Sequence, residues 1–455
     1  MEVITIPNPG NLRNLHKISS LFVWFVVKKW VLGASHGKIS GKGYTIGMIS
    51  RQGSGTGIAH QPLGIYRIMK NLTSLLQSYS DTTIAVSPNG WSAFERLLAS
   101  RRPTRIAAFT GEQSADRSGL WNDFAARCQG IDLHRFRAIP PEPDLDCVKR
   151  LITFLHDCSA DMVVALGGGS VMGAAKAAYL SAQTDTPVES FFGVNQYSDK
   201  NSHRLDTVIC FPTTSGTGSE ATPYSNIVDR AAQVKRLISD PCVIPEHAFV
   251  LPEYTSGTPQ HITLATGCDA LAHLIEGFLN VGADSNDSLA NARALAGIRL
   301  VTQYLPTALA DTGGRVEMAI AATLGGMVIR HKSTGLPHLC SFSWFGRIDH
   351  GLAAIMLLPE CWRYYLGNPA VRERTMQLND IFPGTTPEEV IAAFRRFLDE
   401  CGVPARIQGM PGLDRELMEI TAKSAGLNRM KLELAPRPVD PENSYQVLLD
   451  ILLRS

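Results

Sequence analysis

At 455 residues, with 44% apolar and 19% charged residues, the chain is long enough for two domains with separate cores and has an ordinary globular composition. A formal net charge of +1 supplies no bulk field for nucleic acid or an anionic membrane, so function has to be local. Nine cysteines (128, 147, 158, 210, 242, 268, 340, 361 and 401) stand singly, with no CxxC pair. That pattern argues against a disulfide framework or a thiolate zinc site, and for a reducing compartment.

Residues 1–80 are basic, rich in Gly and Ser around 51–57, and weakly periodic. They read as an N-terminal extension, either of little order or an accessory element. The apolar run at 21–27 is too short to span a bilayer, and Lys28 and Lys29 follow it instead of preceding it as a signal peptide requires. The protein is therefore expected to be cytoplasmic, with neither membrane nor nucleic acid as a partner.

From about residue 81 the pattern becomes regular. Residues 82–86 and 105–110 read as buried strands flanking a helical run at 92–100. Leu145, Val148, Leu151, Ile152 and Leu155 recur at helical spacing. A strand at 161–166 runs into Gly167-Gly168-Gly169-Ser170 and helix formers at 174–179; another at 207–211 leads into Pro-Thr-Thr-Ser-Gly-Thr-Gly-Ser-Glu over 212–220. Strand, glycine turn and helix in succession predict a parallel sheet covered by helices. After about 255 the strands stop, and helices are expected at 261–280, 286–311, 315–330, 387–400 and 414–424. Thr386, Pro387 and Glu389 make a strong helix start, and Gly402 a stop. The expected organisation is an α/β dinucleotide-binding domain over 81–254 and a helical metal-binding domain over 255–455.

Two features point to chemistry. Asp269 and His273 are one helical turn apart, and His338 and His350 follow. Three imidazoles and a carboxylate suit Zn²⁺ or Fe²⁺ with room for a substrate oxygen, although an Asp/His pair at this spacing is also an ordinary helix-surface pair. Upstream, the 167–170 turn opens a helix whose backbone N–H groups suit a diphosphate, the alternative being a tight turn with no ligand. A second glycine loop at 213–219, at the end of the next strand, marks a nucleotide crevice between the two. Neither loop is GxGxxG, so an ordinary Rossmann dehydrogenase is disfavoured.

Gly-Gly-Gly-Ser-x-x-x-x-Ala-Lys (167–176), Pro-Thr-Thr-Ser-Gly-Thr-Gly-Ser-Glu (212–220), Asp-Ala-Leu-Ala-His-x-x-Glu (269–276) and the His338…Asp349-His350-Gly351 segment occur in one order. Over roughly 83–455 the chain resembles the iron-containing (group III) alcohol dehydrogenases. The resemblance implies a Rossmann-like α/β domain followed by an all-helical domain, the dehydroquinate synthase-like architecture, with the active site between them. It implies Asp269, His273, His338 and His350 as ligands to Fe²⁺, or Zn²⁺, acting as a Lewis acid during hydride transfer. It places the diphosphate of NADH or NADPH against Gly167, Gly168, Gly169 and Ser170, with Thr213, Thr214, Thr217 and Lys235 also contacting cofactor. A small aldehyde or alcohol substrate and a homodimer follow from the same likeness.

Some positions depart from the family pattern. Gly173 stands where many relatives carry Asp, Phe342 where His or Tyr is frequent, and the 338–350 connection is shorter than usual. Gly111, at the end of the second strand, leaves room for the extra phosphate of NADPH, although Glu112 beside it weighs the other way. Arg330, His331, Lys332 and Arg347 flank the third and fourth ligands; Lys332 and Arg347 would suit an anionic substrate tail, against the plainer reading of a solvated helix end. Residues 215–224 are similar to the branch that reduces phosphonoacetaldehyde to 2-hydroxyethylphosphonate. Competing readings are another small or carboxylated aldehyde such as a semialdehyde, a dehydroquinate synthase-like lyase, and a catalytically impaired relative. Cys268 and Cys340, close to the expected ligands, are expected sites of oxidative sensitivity.

Overall fold

A computed structural model describes residues 72–455 except 233, 283–286 and 408; residues 1–71, including the 21–27 and 51–57 stretches, lie outside the described residues. Leu75–Ser455 forms one compact unit. Its packing begins before residue 81: Leu76 and Tyr79 are buried, and Tyr79 donates its hydroxyl to the Ala221 carbonyl at 2.6 Å.

The first part alternates strands and helices: β1 (Thr83–Val86), α1 (Gly90–Arg101), β2 (Arg105–Gly111), α2 (Ser114–Arg117), α3 (Leu120–Arg127), β3 (Asp132–Ile139), α4 (Leu145–Cys158), β4 (Met162–Gly167), α5 (Gly169–Thr184), β5 (Gly193–Val194), β6 (Ile209–Pro212), β7 (Tyr224–Asp229), β8 (Val234–Ser239) and β9 (His247–Val250). Six strands form a sheet in the order β1-β9-β6-β4-β2-β3, every pairing parallel. Ile106, Ala108, Val164 and Leu166 pack on one face with Phe94 of α1 and Phe124 of α3. Ala107, Phe109, Val163 and Ala165 pack on the other with Leu151 of α4 and Met172 of α5. Period-two alternation with both faces covered is why these strands read as unbroken apolar runs.

The register matters for function. Leu166 lies beside Phe211 and Gly167 beside Pro212, so the two glycine-rich loops leave the sheet side by side. Thr213 N–H closes the junction on Gly167 O at 3.1 Å. β7 and β8 form an antiparallel hairpin that joins β5 in a small separate sheet.

From residue 260 the described chain is helical: α6 (Gln260–Leu279), α7 (Ser288–Leu309), α8 (Arg315–Lys332), α9 (Leu336–Ser341), α10 (His350–Tyr365), α11 (Pro369–Met376), α12 (Pro387–Glu400), α13 (Arg415–Gly426), α14 (Arg429–Glu433) and α15 (Ser444–Arg454). α6 is buried along most of its length and packs against α7, α8 and α10. It is also the one helix among the described residues long and apolar enough to cross a membrane by length and composition; here it is the core of the helical part and carries Asp269 and His273. Thr386 caps α12 as expected, accepting from Glu389 N–H at 3.2 Å. Glu389 reaches back one residue further than a standard capping box, to Thr385 N–H at 2.7 Å. The chain turns at Gly402 (φ +85°), just beyond the end of the helix.

Candidate metal and dinucleotide site

Asp269, His273 and Glu276 occupy one face of α6, at successive turns. His338 lies on α9, entered through Pro337 in its first turn, and His350 is the first residue of α10. The structure brings all four expected ligands together around Asp269 Oδ1: the Nε2 atoms of His338, His273 and His350 stand 3.4, 3.7 and 4.0 Å from it. Donor atoms of Asp269, His338 and His350 all lie within 4.8 Å of one another. The shorter 338–350 connection therefore still returns His350 to the centre, which answers one of the three departures, Gly173 and Phe342 being the others.

These separations fit a metal ion better than they fit hydrogen bonds. Asp269 Oδ1 and His338 Nε2 are buried with no hydrogen-bond partner. Donors bound at about 2.1 Å to one tetrahedral ion are roughly 3.4 Å apart. The outer nitrogens of two of the three rings are held by the protein, while His273 Nδ1 is buried without a partner. His338 Nδ1 makes a very short contact with Glu276 Oε1, and the other Glu276 oxygen accepts from Gly335 N–H at 2.7 Å. Ser341 Oγ donates to His338 O at 2.8 Å, so toward His350 Nδ1, 3.2 Å away, it acts as acceptor. Both rings thereby carry their proton on Nδ1 and present the Nε2 lone pair inward.

Electrostatics follow from this packing. Burial alone raises the Asp269 carboxyl, but the surrounding imidazoles of His273, His338 and His350 hold it well below the usual carboxylate range. Burial pushes His273 down to about 4 against the pull of Asp269. Burial, then the charge of Lys235, lowers His350 well below normal. His338 goes the other way, to about 9: burial opposes its charge, but Glu276 and Asp269 outweigh it. A proton and a cation thus compete for His338 Nε2, as expected of a ligand between two carboxylates. The donor set fits Fe²⁺ or Zn²⁺.

A cavity of about 1230 Å³ runs along the ends of the parallel strands, lined by Gly111, Gly168, Gly169, Ser170, Thr213, Thr214 and Thr217 among others. Gly168 caps α5 with no side-chain hydrogen bond, which leaves the first N–H groups of the helix for a ligand. A Cβ on Gly169 would stand 2.5 Å from Thr217 Cγ2, so only glycine lets the two loops approach this closely. Thr213 Oγ1 is buried without a partner. Of the expected cofactor residues, Gly167 alone is sealed, its Cβ direction filled by Val171. A second pocket, of about 200 Å³, contains Asp269, His273, His338, His350, Phe342 and Lys235. The two spaces share Glu142, Gly169, Ser170, Thr217, Asp269 and His350. The larger space therefore reaches from the α5 loop to Asp269 and His350.

Lys235 lies in the smaller pocket, not along the larger cavity, and pairs with Glu142 at 2.7 Å. Phe342 stacks on His350, ring centroids 5.7 Å apart. Gly173 leaves space: the nearest foreign atom to a Cβ there would be Ser225 Oγ at 3.8 Å. The expected substrate-tail residues do not converge. Lys332 is 2% exposed and turned to the C-terminal end of α6, 3.5 Å from Asn280 O, because it lies on the side of the last α8 turn that faces that helix, while Ile329 of the same turn faces the pocket. Arg347 lines the larger cavity and donates to Gly412 O at 2.9 Å. Cys268 and Cys340 are buried with thiols shifted up by burial, Cys340 to about 12, so both are poor nucleophiles and the expected oxidative sensitivity is not supported. Sequence reasoning gave no role to Glu276, Ser341, Glu142 or Lys431. Only Glu276, one turn beyond His273, carried a signal in its spacing.

Residues 81–252 match the family model for iron-containing alcohol dehydrogenase and residues 263–452 that for the Fe-containing alcohol dehydrogenase family, C-terminal. Long-chain-alcohol dehydrogenase 1 of Geobacillus thermodenitrificans is 28% identical, over 77% of this chain and 91% of the relative. The 1-propanol dehydrogenase PduQ of Salmonella typhimurium is 30% identical, over 70% and 85%. An iron-containing alcohol dehydrogenase from Thermotoga maritima superposes with a TM-score of 0.70 at 27% identity, covering 82% of this chain and 98% of that one. Sulfoacetaldehyde reductase from Bifidobacterium kashiwanohense, solved with NAD+, has the same fold at 23% identity and TM-score 0.70, with 82% and 98% coverage. The chain belongs to the iron-containing alcohol dehydrogenase family, and is an oxidoreductase with that family's α/β and helical domains. This places it apart from the dehydroquinate synthase-like lyases.

Proposed function

We propose that the protein is a metal-dependent, NAD(P)H-linked alcohol dehydrogenase working as the reductase of a short aldehyde with an anionic tail. Phosphonoacetaldehyde and 2-hydroxyethylphosphonate are the pair favoured by residues 215–224. The observation that carries the reading is the shared wall of the two spaces, where Gly169, Ser170 and Thr217 adjoin Asp269 and His350.

In this reading the α5 N-terminus and the hydroxyls of Thr213, Thr214 and Thr217 hold the diphosphate and aim the nicotinamide toward the ligand cluster. A bound Fe²⁺ or Zn²⁺ supplies Lewis acidity toward the carbonyl. NADH or NADPH held there would supply the hydride, and the protein would have to supply a proton to the carbonyl oxygen. Phe342 has no proton to give; it covers His350 and keeps water from that side. The Lys235–Glu142 ion pair lines the same pocket. Gly111, with Ser114 and Arg117 beside it on the cavity wall, supports NADPH as a cofactor alongside NADH.

The test is anaerobic reconstitution of chelator-stripped protein with Fe²⁺, then assay of neutral, carboxylated and phosphonylated aldehydes with each reduced nicotinamide. Turnover of phosphonoacetaldehyde above the neutral aldehydes is expected. No turnover of any aldehyde would sink the reductase reading.

A further inference from the structure

The smaller pocket contains one cation without a counter-charge. Lys235 has Glu142, but Lys431, from α14, has no carboxylate within 4.0 Å among the described residues. Its ammonium, on a residue only 8% exposed, donates to Ser333 Oγ at 2.7 Å, Thr334 O at 3.0 Å and Thr334 Oγ1 at 3.1 Å. Glu276 acts on it from farther off, and both Glu276 oxygens are engaged by His338 and Gly335. Neutral oxygens solvate a buried ammonium without neutralising it, and burial pushes Lys431 down to about 8.

Two structural explanations fail. The lysine does not cap α8, because Ser333 N–H takes Ile329 O and Asn280 Nδ2 takes Lys332 O. Nor is it a surface lysine folded over an apolar patch, since Thr334 and Lys431 both line the pocket that contains the ligand imidazoles. Residues 333–334 lead directly into α9, so the cation is tied to the segment that carries His338. The remaining wall adds no further charge: Ile329, Leu237 and Phe342 are apolar, and Gly173 contributes no side chain.

We propose that Lys431 and the Thr334 hydroxyl bind the anionic tail of the aldehyde, a phosphonate, sulfonate or carboxylate, and so select substrate by charge. This rests on the reductase reading above and supplies the recognition that Lys332 and Arg347 do not.

The test uses the Fe²⁺-loaded full chain as wild type, Lys431→Met and Lys431→Arg, assayed with phosphonoacetaldehyde, sulfoacetaldehyde, succinic semialdehyde and propionaldehyde. Lys431→Met should raise KM for the preferred anionic aldehyde on the order of 10- to 100-fold, with kcat and propionaldehyde turnover within about twofold, and Lys431→Arg should recover part of the loss. Comparison of the three anions tells which headgroup the site takes. In parallel, calorimetric titration with methylphosphonate, methanesulfonate and acetate should show binding to wild type that Lys431→Met loses. Should Lys431→Met fail to fold, competitive inhibition of wild type by methylphosphonate but not by isopropanol decides the same question. An unchanged preference for anions in Lys431→Met, or wild type treating anionic and neutral aldehydes alike, overturns the proposal and leaves the reductase reading standing. Wild type that binds methylphosphonate through Lys431 yet reduces no aldehyde leaves the anion site standing and ends the reductase reading.

Discussion

Gly351 packs against Asp269: a Cβ at Gly351 would stand 2.7 Å from Asp269 Cβ and 2.9 Å from its backbone nitrogen, and closer still to the Ala265 carbonyl. The residue after the fourth ligand thus rests on the helix turn that carries the first. Gly351→Ala must push α10 from α6, at a cost of about 1–3 kcal/mol of stability. Because His350 moves with α10, bound iron measured by elemental analysis should fall at least tenfold at limiting metal. A variant with full metal content would mean that α10 yields without moving His350.

The proposed nucleotide and metal sites draw on different residues. His273→Ala removes one donor and none of the α5 loop, so turnover should disappear while NADPH or NADH affinity, read by fluorescence titration, stays within about threefold. For wild type, adding Fe²⁺ to stripped protein at 100 times its Kd should stabilise by about 2.7 kcal/mol. His273→Ala should lose most of that shift. Loss of nucleotide binding together with the metal would assign His273 a structural role.

Glu276 does not reach the ligand centre but fixes His338 through Nδ1 and the start of α9 through Gly335 N–H. Glu276→Gln keeps the shape and removes the charge. Metal affinity should fall about 10- to 100-fold with little change in fold. Competition with a chromophoric chelator measures this directly, and an unchanged affinity would count against the positioning role.

Lys176, 1% exposed behind the diphosphate loop, donates to Thr222 O at 2.8 Å and Tyr224 O at 3.3 Å. Burial pushes it from 10.5 down to about 8. The unfolded chain keeps this proton up to 10.5 and the folded one only to about 8, so unfolding takes up a proton between these values and raising the pH favours the folded state. Buried cysteines and tyrosines oppose this in alkali, so the clean reading is a difference. Wild type should gain stability relative to Lys176→Met as pH rises from 8 to 10.5, on the order of 3 kcal/mol. Urea melts at the two ends of that range check it, and parallel pH profiles would show that Lys176 keeps its proton.

Much of the site was legible because its parts are local. Asp269 and His273 follow helical spacing, and the two glycine loops end strands whose apolar runs are unmistakable. Their juxtaposition was not local: it depends on the β4–β6 register that sets Gly167 beside Pro212. β3 escapes a reading by pattern because, at the sheet edge, its residues alternate with Asp132, His134, Arg135 and Arg137 and only Ile139 is fully buried. α10 escapes it because its run holds Pro359 and is apolar all round, with no amphipathic period to read. A buried lysine of the smaller pocket escaped notice for a related reason. Lys332 is near His338 in the chain, but α8 turns it away, and Lys431 arrives from α14 through packing that no spacing encodes.

Eight of the nine cysteines are buried, Cys268 and Cys340 beside the ligand residues among them. Their reaction with a thiol reagent then requires the surrounding helices to part first. Labelling rates followed residue by residue, with and without metal, therefore convert these side chains into a stopwatch for how often the helical core breathes, and for how firmly a bound cation holds it shut.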